Sequence, residues 1–201
     1  MLSVRTCILA VVGACIGFTA PAATADEGTI TDIVAASGGE FDGNKRDYDI
    51  LFTAVVAADL AGVLADPEAE LTVFAPNDAA FFRLARDLGY EGKYDEGAVW
   101  GFLVSALKGL GGGDPIPVLT DILLYHVAPG DVRPIDLILS TFFYSPIETA
   151  LPDATFQPFF FRLIDNDPDV RDPFVTFPFN IVASNGRIHS ISRVLIPVDL
   201  P

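Results

Sequence analysis

The run Leu71 to Phe82, LTVFAPNDAAFF, constrains the fold more tightly than any other stretch of the chain. Leu71 to Phe74, with Thr72 and Val73 β-branched, is short and apolar enough to be an interior strand. Pro76 has no amide hydrogen to donate and is expected to end the ladder. Asn77 can then accept hydrogen bonds from the first free amides of a helix, where Asp78 adds a favourable negative charge. Ala80, Phe81 and Leu84 supply the apolar stripe of that helix. The polar pair Asn77-Asp78 therefore reads as helix capping rather than as chemistry.

The flanking sequence extends this frame. Thr29 to Ser37 predicts a capped helix with Ile30, Ile33 and Val34 on one face. After a polar insertion from Gly38 to Asp49, helical spacing resumes over Ile50 to Leu64, with Gly62 a kink or boundary. The glycine-rich stretch Gly89 to Gly113 contains an amphipathic segment, Ala98 to Leu110, with Trp100 or Leu103 docking it. Gly111 to Gly113 lack the Gly-Lys-Ser/Thr ending of a phosphate loop and read as a hinge. Over Thr120 to Gly130 a helix is expected to end near Tyr125, a short strand to begin at His126, and Pro129-Gly130 to turn the chain. Nine of the 16 phenylalanines fall between Phe142 and Phe179, broken by six prolines, which points to short twisted strands rather than a long helix. Asn185-Gly186 marks a hairpin turn into an imperfectly alternating strand from Arg187 to Ile196, ahead of Pro197.

The amino terminus has the layout of an export signal. Arg5 precedes an apolar stretch from Cys7 to Phe18, and Ala23-Thr24-Ala25 precedes the first acidic residue, so residues 1–25 are expected to be cleaved. Val12-Gly13-Ala14-Cys15 offers the alternative of a lipid anchor on Cys15. Either way the protein is expected to be secreted, periplasmic or surface-attached, with residues 26–201 forming one domain and no later membrane-spanning segment. Both cysteines lie in the leader, so a disulfide or thiol chemistry is not expected after cleavage. With 12 basic against 27 acidic residues, the formal net charge of −15 repels phosphate backbones and argues against nucleic acid as a partner.

Three segments together resemble a known family: TVFAPNDAAF at 72–81, ILLYHVAPG at 122–130 and NGRIHSISRVLIP at 185–197. Their order and spacing are similar to the two conserved motifs and the intervening Tyr-His segment of a fasciclin-type (FAS1) domain, of the bacterial, secreted or periplasmic, single-domain kind. The resemblance spans about residues 27–198. It implies an α+β fold in which a twisted β-sheet wedge or sandwich packs against several helices. It also implies adhesion or matrix binding rather than catalysis. Under it, Thr72, Phe74, Pro76, Asn77, Asp78, Phe81, Asn185, Gly186, His189 and Pro197 are structural motif residues, and Tyr125-His126 falls in the segment linked with adhesion. The insertion around Phe41 to Asp49, the long 89–113 connection and the aromatic 142–179 region depart from a minimal domain. No Arg-Gly-Asp triplet is present.

The polar residues offer few routes to chemistry. His126 and His189 are the only histidines, and each sits among apolar neighbours, as hydrogen-bonded structural imidazoles do. Asp165, Asp167, Asp169 and Asp172 have a calcium-like composition without the glycine and terminal glutamate of an EF-hand loop. Asp42, Asn44, Asp47 and Asp49 form a second such group, mixed with Lys45 and Arg46, while Glu68 and Glu70 are a carboxylate pair of unknown geometry. No catalytic, cofactor-binding or metal-binding residue is assigned. The leading expectation is a noncatalytic extracytoplasmic module that binds a protein, glycan or matrix component. Its candidate interaction region comprises Tyr125, His126, Phe142, Phe143, Phe159, Phe160 and Phe161. A small-ligand or weak calcium-binding module is the alternative, and a hydrolase with an unrecognised site a third reading.

Overall fold

The computed structural model describes residues 28–168 and 170–197. The expected export segment, the Cys15 lipid site and Asp169 lie outside the described residues. Among the described residues, seven helices and seven strands follow one another as α1 (Ile30–Ser37), α2 (Asp49–Ala57), α3 (Ala61–Leu64), β1 (Leu71–Pro76), α4 (Asp78–Asp87), α5 (Glu96–Leu110), α6 (Ile116–Tyr125), β2 (Val127–Pro129), α7 (Pro134–Phe143), β3 (Ile147–Glu148), β4 (Thr155–Phe159), β5 (Arg162–Ile164), β6 (Ile181–Ala183) and β7 (Gly186–Ile191). The result is the mixed α+β architecture that the sequence implies.

β1 is central to the main sheet, whose order is β2-β1-β7-β6. It pairs antiparallel with β2 and parallel with β7, so Val73 faces Val127 on one side and Ile188 on the other. Alternation along the strand then feeds two cores. Val73 and Ala75 join helices α1, α2, α4, α5 and α6 in the larger one. Phe74 points the other way, into a second core with Tyr125, Leu137, Phe156, Leu163, Ile191 and Leu195, closed by the small antiparallel sheet β3-β4-β5. Burial on both faces explains why β1 reads as a continuous apolar run.

Several local expectations change. β1 runs two residues past Phe74, and Pro76 ends it as expected, paired with Ile191 as the last residue of the strand. β2 covers only Leu71 to Val73, so past Phe74 that side of β1 is an edge, where a proline is tolerated. The hairpin turn falls one residue earlier than expected, on Ser184-Asn185, with Ala183 paired to Gly186. β7 stops at Ile191, although Val194, Leu195 and Ile196 remain buried. There the amides of Leu195 and Ile196 donate to the side chains of His126 and Asp165 instead of to a neighbouring strand. Helix α7 was not foreseen in the sequence; Pro134 opens it and Asp136 caps it by accepting the Arg133 amide.

Candidate functional site

Tyr125 and His126 end α6, where the chain passes straight into β2, and both are buried. The Tyr125 hydroxyl donates to the carbonyl of Thr155. His126 donates from Nδ1 to the Ile122 carbonyl at 2.7 Å and accepts the Leu195 amide at Nε2 at 2.8 Å, which fixes a neutral tautomer. Burial pushes this imidazole down to about 4. His189 is also buried, stacks on Phe74, donates from Nε2 to the Val132 carbonyl and accepts the Asn180 amide at Nδ1. Its pKa is lowered, chiefly by burial. All four imidazole nitrogens are thus committed to backbone groups. Tyr125 and His126, grouped in the sequence with the phenylalanines, have side chains that a partner at the surface cannot touch.

The phenylalanines are placed differently. Phe142 and Phe143 end α7 and are 65 % and 76 % exposed, while Phe159 and Phe160 cap the β4-β5 turn at 55 % and 44 %. Edge-to-face contacts join Phe142 to Phe160 at 5.9 Å and Phe160 to Phe159 at 5.4 Å, so the rings form a connected surface. The surface is anchored from beneath: the buried Thr141 hydroxyl accepts the Phe160 amide at 2.6 Å, tying the turn to α7. Phe161 is half-buried against Phe179, beyond which Phe174 and Phe177 are exposed. Of the region's nine phenylalanines only Phe156 belongs wholly to the core.

A second polar feature lies in the insertion between α1 and α2. The insertion 38–49 folds over the start of α4, its Lys45 and Asp47 carbonyls accepting the Ala79 and Asp78 amides. Asp78 is fully buried and accepts the amides of Asp49 and Ile50, so its side chain caps α2 from across the fold. The expectation of a charged Asp78 at a helix start is corrected here. Burial, then the neighbouring Asp47 carboxyl, raises its pKa to about 9, far above the usual carboxylate range. Beside this pair, one carboxylate oxygen each of Asp42, Asp47, Asp49 and Glu96 lies within 4.8 Å of the others. The described members of the other calcium-like group are used up by the protein itself. Asp165 accepts the Ile196 and Asp167 amides, Asp167 accepts the Val170 amide, and Asp172 is paired with Arg162.

No family model matches the sequence, and no curated protein matches it. Among solved structures the chain is similar to a FAS1 domain pair from the insect cell adhesion molecule fasciclin I, with a TM-score of 0.57 and 15 % identity. The match covers 84 % of this chain and 51 % of that one, so the chain spans about half the length of the domain pair. The fold is FAS1-like.

In this FAS1-like domain the motif residues act as internal fasteners. Asn185 is the clearest: its carbonyl accepts the Ile30 amide, and its amide group donates to the carbonyls of Leu64 and Asp66. Thr72 donates to the Gly130 carbonyl and accepts the Val132 amide, holding the turn after β2. Tyr48 and Ser190 share a short hydrogen bond across 142 positions of sequence. Glu96 carried no signal in the sequence beyond its place next to the Asp95 helix cap; only the fold brings it to the 42–49 loop. An apolar cavity of about 70 Å³ lies between α1, α2 and β1, lined by Ile30, Val34, Leu51, Val55 and Val73 among others.

Proposed function

We propose that the protein is a noncatalytic, extracytoplasmic binding or adhesion module whose aromatic face engages a protein, glycan or matrix component. The carrying observation is the connected, solvent-exposed surface of Phe142, Phe159 and Phe160 with Phe143 beside it. Exposing large aromatic side chains together is costly in water, and such patches mark interaction surfaces. Aromatic residues concentrate binding energy when a partner desolvates them. The FAS1-like fold supports the same reading, since the similar insect protein is described as a cell adhesion molecule. The alternative of a small-ligand pocket has less in its favour, because the apolar cavity is small, at about 70 Å³, and the larger opening of about 480 Å³ beside Asp42, Asp47 and Asp49 lacks the apolar and aromatic lining of a typical ligand pocket.

The test compares wild type with a Phe143→Ser/Phe159→Ser variant in capturing partners from the native extracytoplasmic compartment. Both side chains are more than half exposed, so the variant is expected to melt at the wild-type temperature. Loss of captured protein or polysaccharide is the expected result. Equal capture by the two proteins would reject the aromatic face as the binding surface.

A further inference from the structure

We propose that the carboxylates of Asp42, Asp47, Asp49 and Glu96 form a Ca²⁺ site that staples the 38–49 insertion to the start of α5. Asp47, Asp49 and Glu96 are buried, at 8 %, 1 % and 2 % exposure, while Asp42 stands at the surface. Two oxygens decide the matter: Asp47 Oδ1 and Asp49 Oδ2 are buried with no hydrogen-bond partner in the protein. An unpaired buried carboxylate oxygen is costly, so one on each of two carboxylates of the same cluster calls for a counter-charge.

The protein does not supply that charge. Among the described residues, the four ion pairs all lie elsewhere. Lys45, in the same loop, rests its Nζ 4.5 Å over the Tyr94 ring. What the protein does supply is orientation. Gly39 N–H donates to Asp49 Oδ1, Asn44 N–H to Asp42 Oδ1, and Gly43 N–H and Tyr94 O–H to the two oxygens of Glu96. Each of these bonds holds a carboxylate in place, and in Asp49 it occupies one oxygen and leaves the other without a partner.

Oxygen-only donors select a hard cation. Ca²⁺ holds oxygens at about 2.3–2.6 Å, so ligands on opposite sides stand roughly 5 Å apart, a span compatible with the observed 4.8 Å limit. Mg²⁺ demands a tighter octahedron and keeps more of its water. A cavity of about 480 Å³ bordered by Ser37, Gly38, Gly39, Asp42, Asp47 and Asp49 gives the ion a route in and room for waters to complete its shell.

The experiment is calorimetric titration of the purified protein, freed of metal on a chelating resin, with CaCl₂ and with MgCl₂ at fixed ionic strength, alongside thermal melts. Saturable Ca²⁺ binding is expected, with a dissociation constant on the order of 10⁻⁴ M as in extracellular modules. It should come with a Ca²⁺-dependent rise in melting temperature. Binding should be lost in Asp49→Asn and about tenfold weaker in Asp42→Asn, while Glu68→Gln, remote and exposed, behaves as wild type. Asp42 is a surface residue, so its variant decides the question even where Asp49→Asn fails to fold. No saturable Ca²⁺ binding by wild type, or unchanged binding by Asp42→Asn, overturns the site. Mg²⁺ binding as tightly as Ca²⁺ overturns the assignment of the ion.

Discussion

At the scale of single residues, the polar side chains in the apolar motifs turn out to be caps and clamps. Asn77 is the simplest, accepting the Ala80 amide at 3.0 Å at the start of α4. Asn77→Ala is expected to cost about 0.5–2 kcal/mol in denaturant unfolding, and Asn77→Gly only a few tenths. Equal stability of wild type and the alanine variant would remove the cap from the account. This role was legible because capping is local: the acceptor and the amide it satisfies are three residues apart. Asp78 shows the limit of local reading. One position further on, it reads as a surface charge, yet it is buried and its partners are the amides of Asp49 and Ile50, 29 and 28 residues away. The same limit hid Glu96, whose relation to Gly43 spans 53 residues. Sequence proximity instead suggested Asn44, whose side chain accepts the Arg46 amide within its own turn.

At the scale of elements, strands were recognisable where apolar run and turn chemistry coincided, as in β1 and the β6-β7 hairpin. Pro76 ends β1 as its missing amide predicts, whereas the alternating pattern runs past the true end of β7 at Ile191, because the side chains that take up the next amides lie far away in sequence. Helix α7 went unread because its cap, Asp136, follows an arginine and a proline rather than the usual serine or asparagine. Gly186 ties element geometry to sequence most directly. Its φ is +147°, and a Cβ there would sit 1.8 Å from the Leu71 carbonyl oxygen, inside the backbone of β1. Gly186→Ala must therefore push β7 away from the strand it parallels. A loss of about 3 kcal/mol or more is expected in denaturant unfolding, at the severe end for single substitutions. Gly112→Ala provides the contrast. With φ +65° and open space around it, it should cost only the left-handed backbone penalty, about 1–2 kcal/mol. Similar losses at the two positions would mean that close approach of β7 to β1 is not what selects glycine.

At the scale of the whole molecule, buried titratable groups set opposing pH dependences. His126 is neutral in the fold, with its pKa pushed down to about 4. The unfolded chain therefore takes up a proton that the native state refuses as pH falls from the ordinary imidazole value toward about 4, and stability drops over that window. Asp165, half-buried beside β5, has the reverse sign. Burial raises its pKa to about 6, against the two amides that favour its charged form. Its contribution is present in acid, below the unfolded carboxyl value of 3.8, and is lost as pH rises through about 6. Each group thus offsets the other between about pH 4 and pH 6. Replacing Asp165 with asparagine removes one of the two opposing titrations and leaves an oxygen that can still accept the Ile196 amide. Relative to wild type, Asp165→Asn is expected to gain stability steadily as pH is raised from about 4 to about 7, and to hold that gain above it. Denaturant unfolding of both proteins across this range is the measurement. A difference that stays constant with pH, or shrinks toward neutrality, would show that Asp165 titrates as a solvated carboxylate and that burial at the β5 turn does not resist its charge.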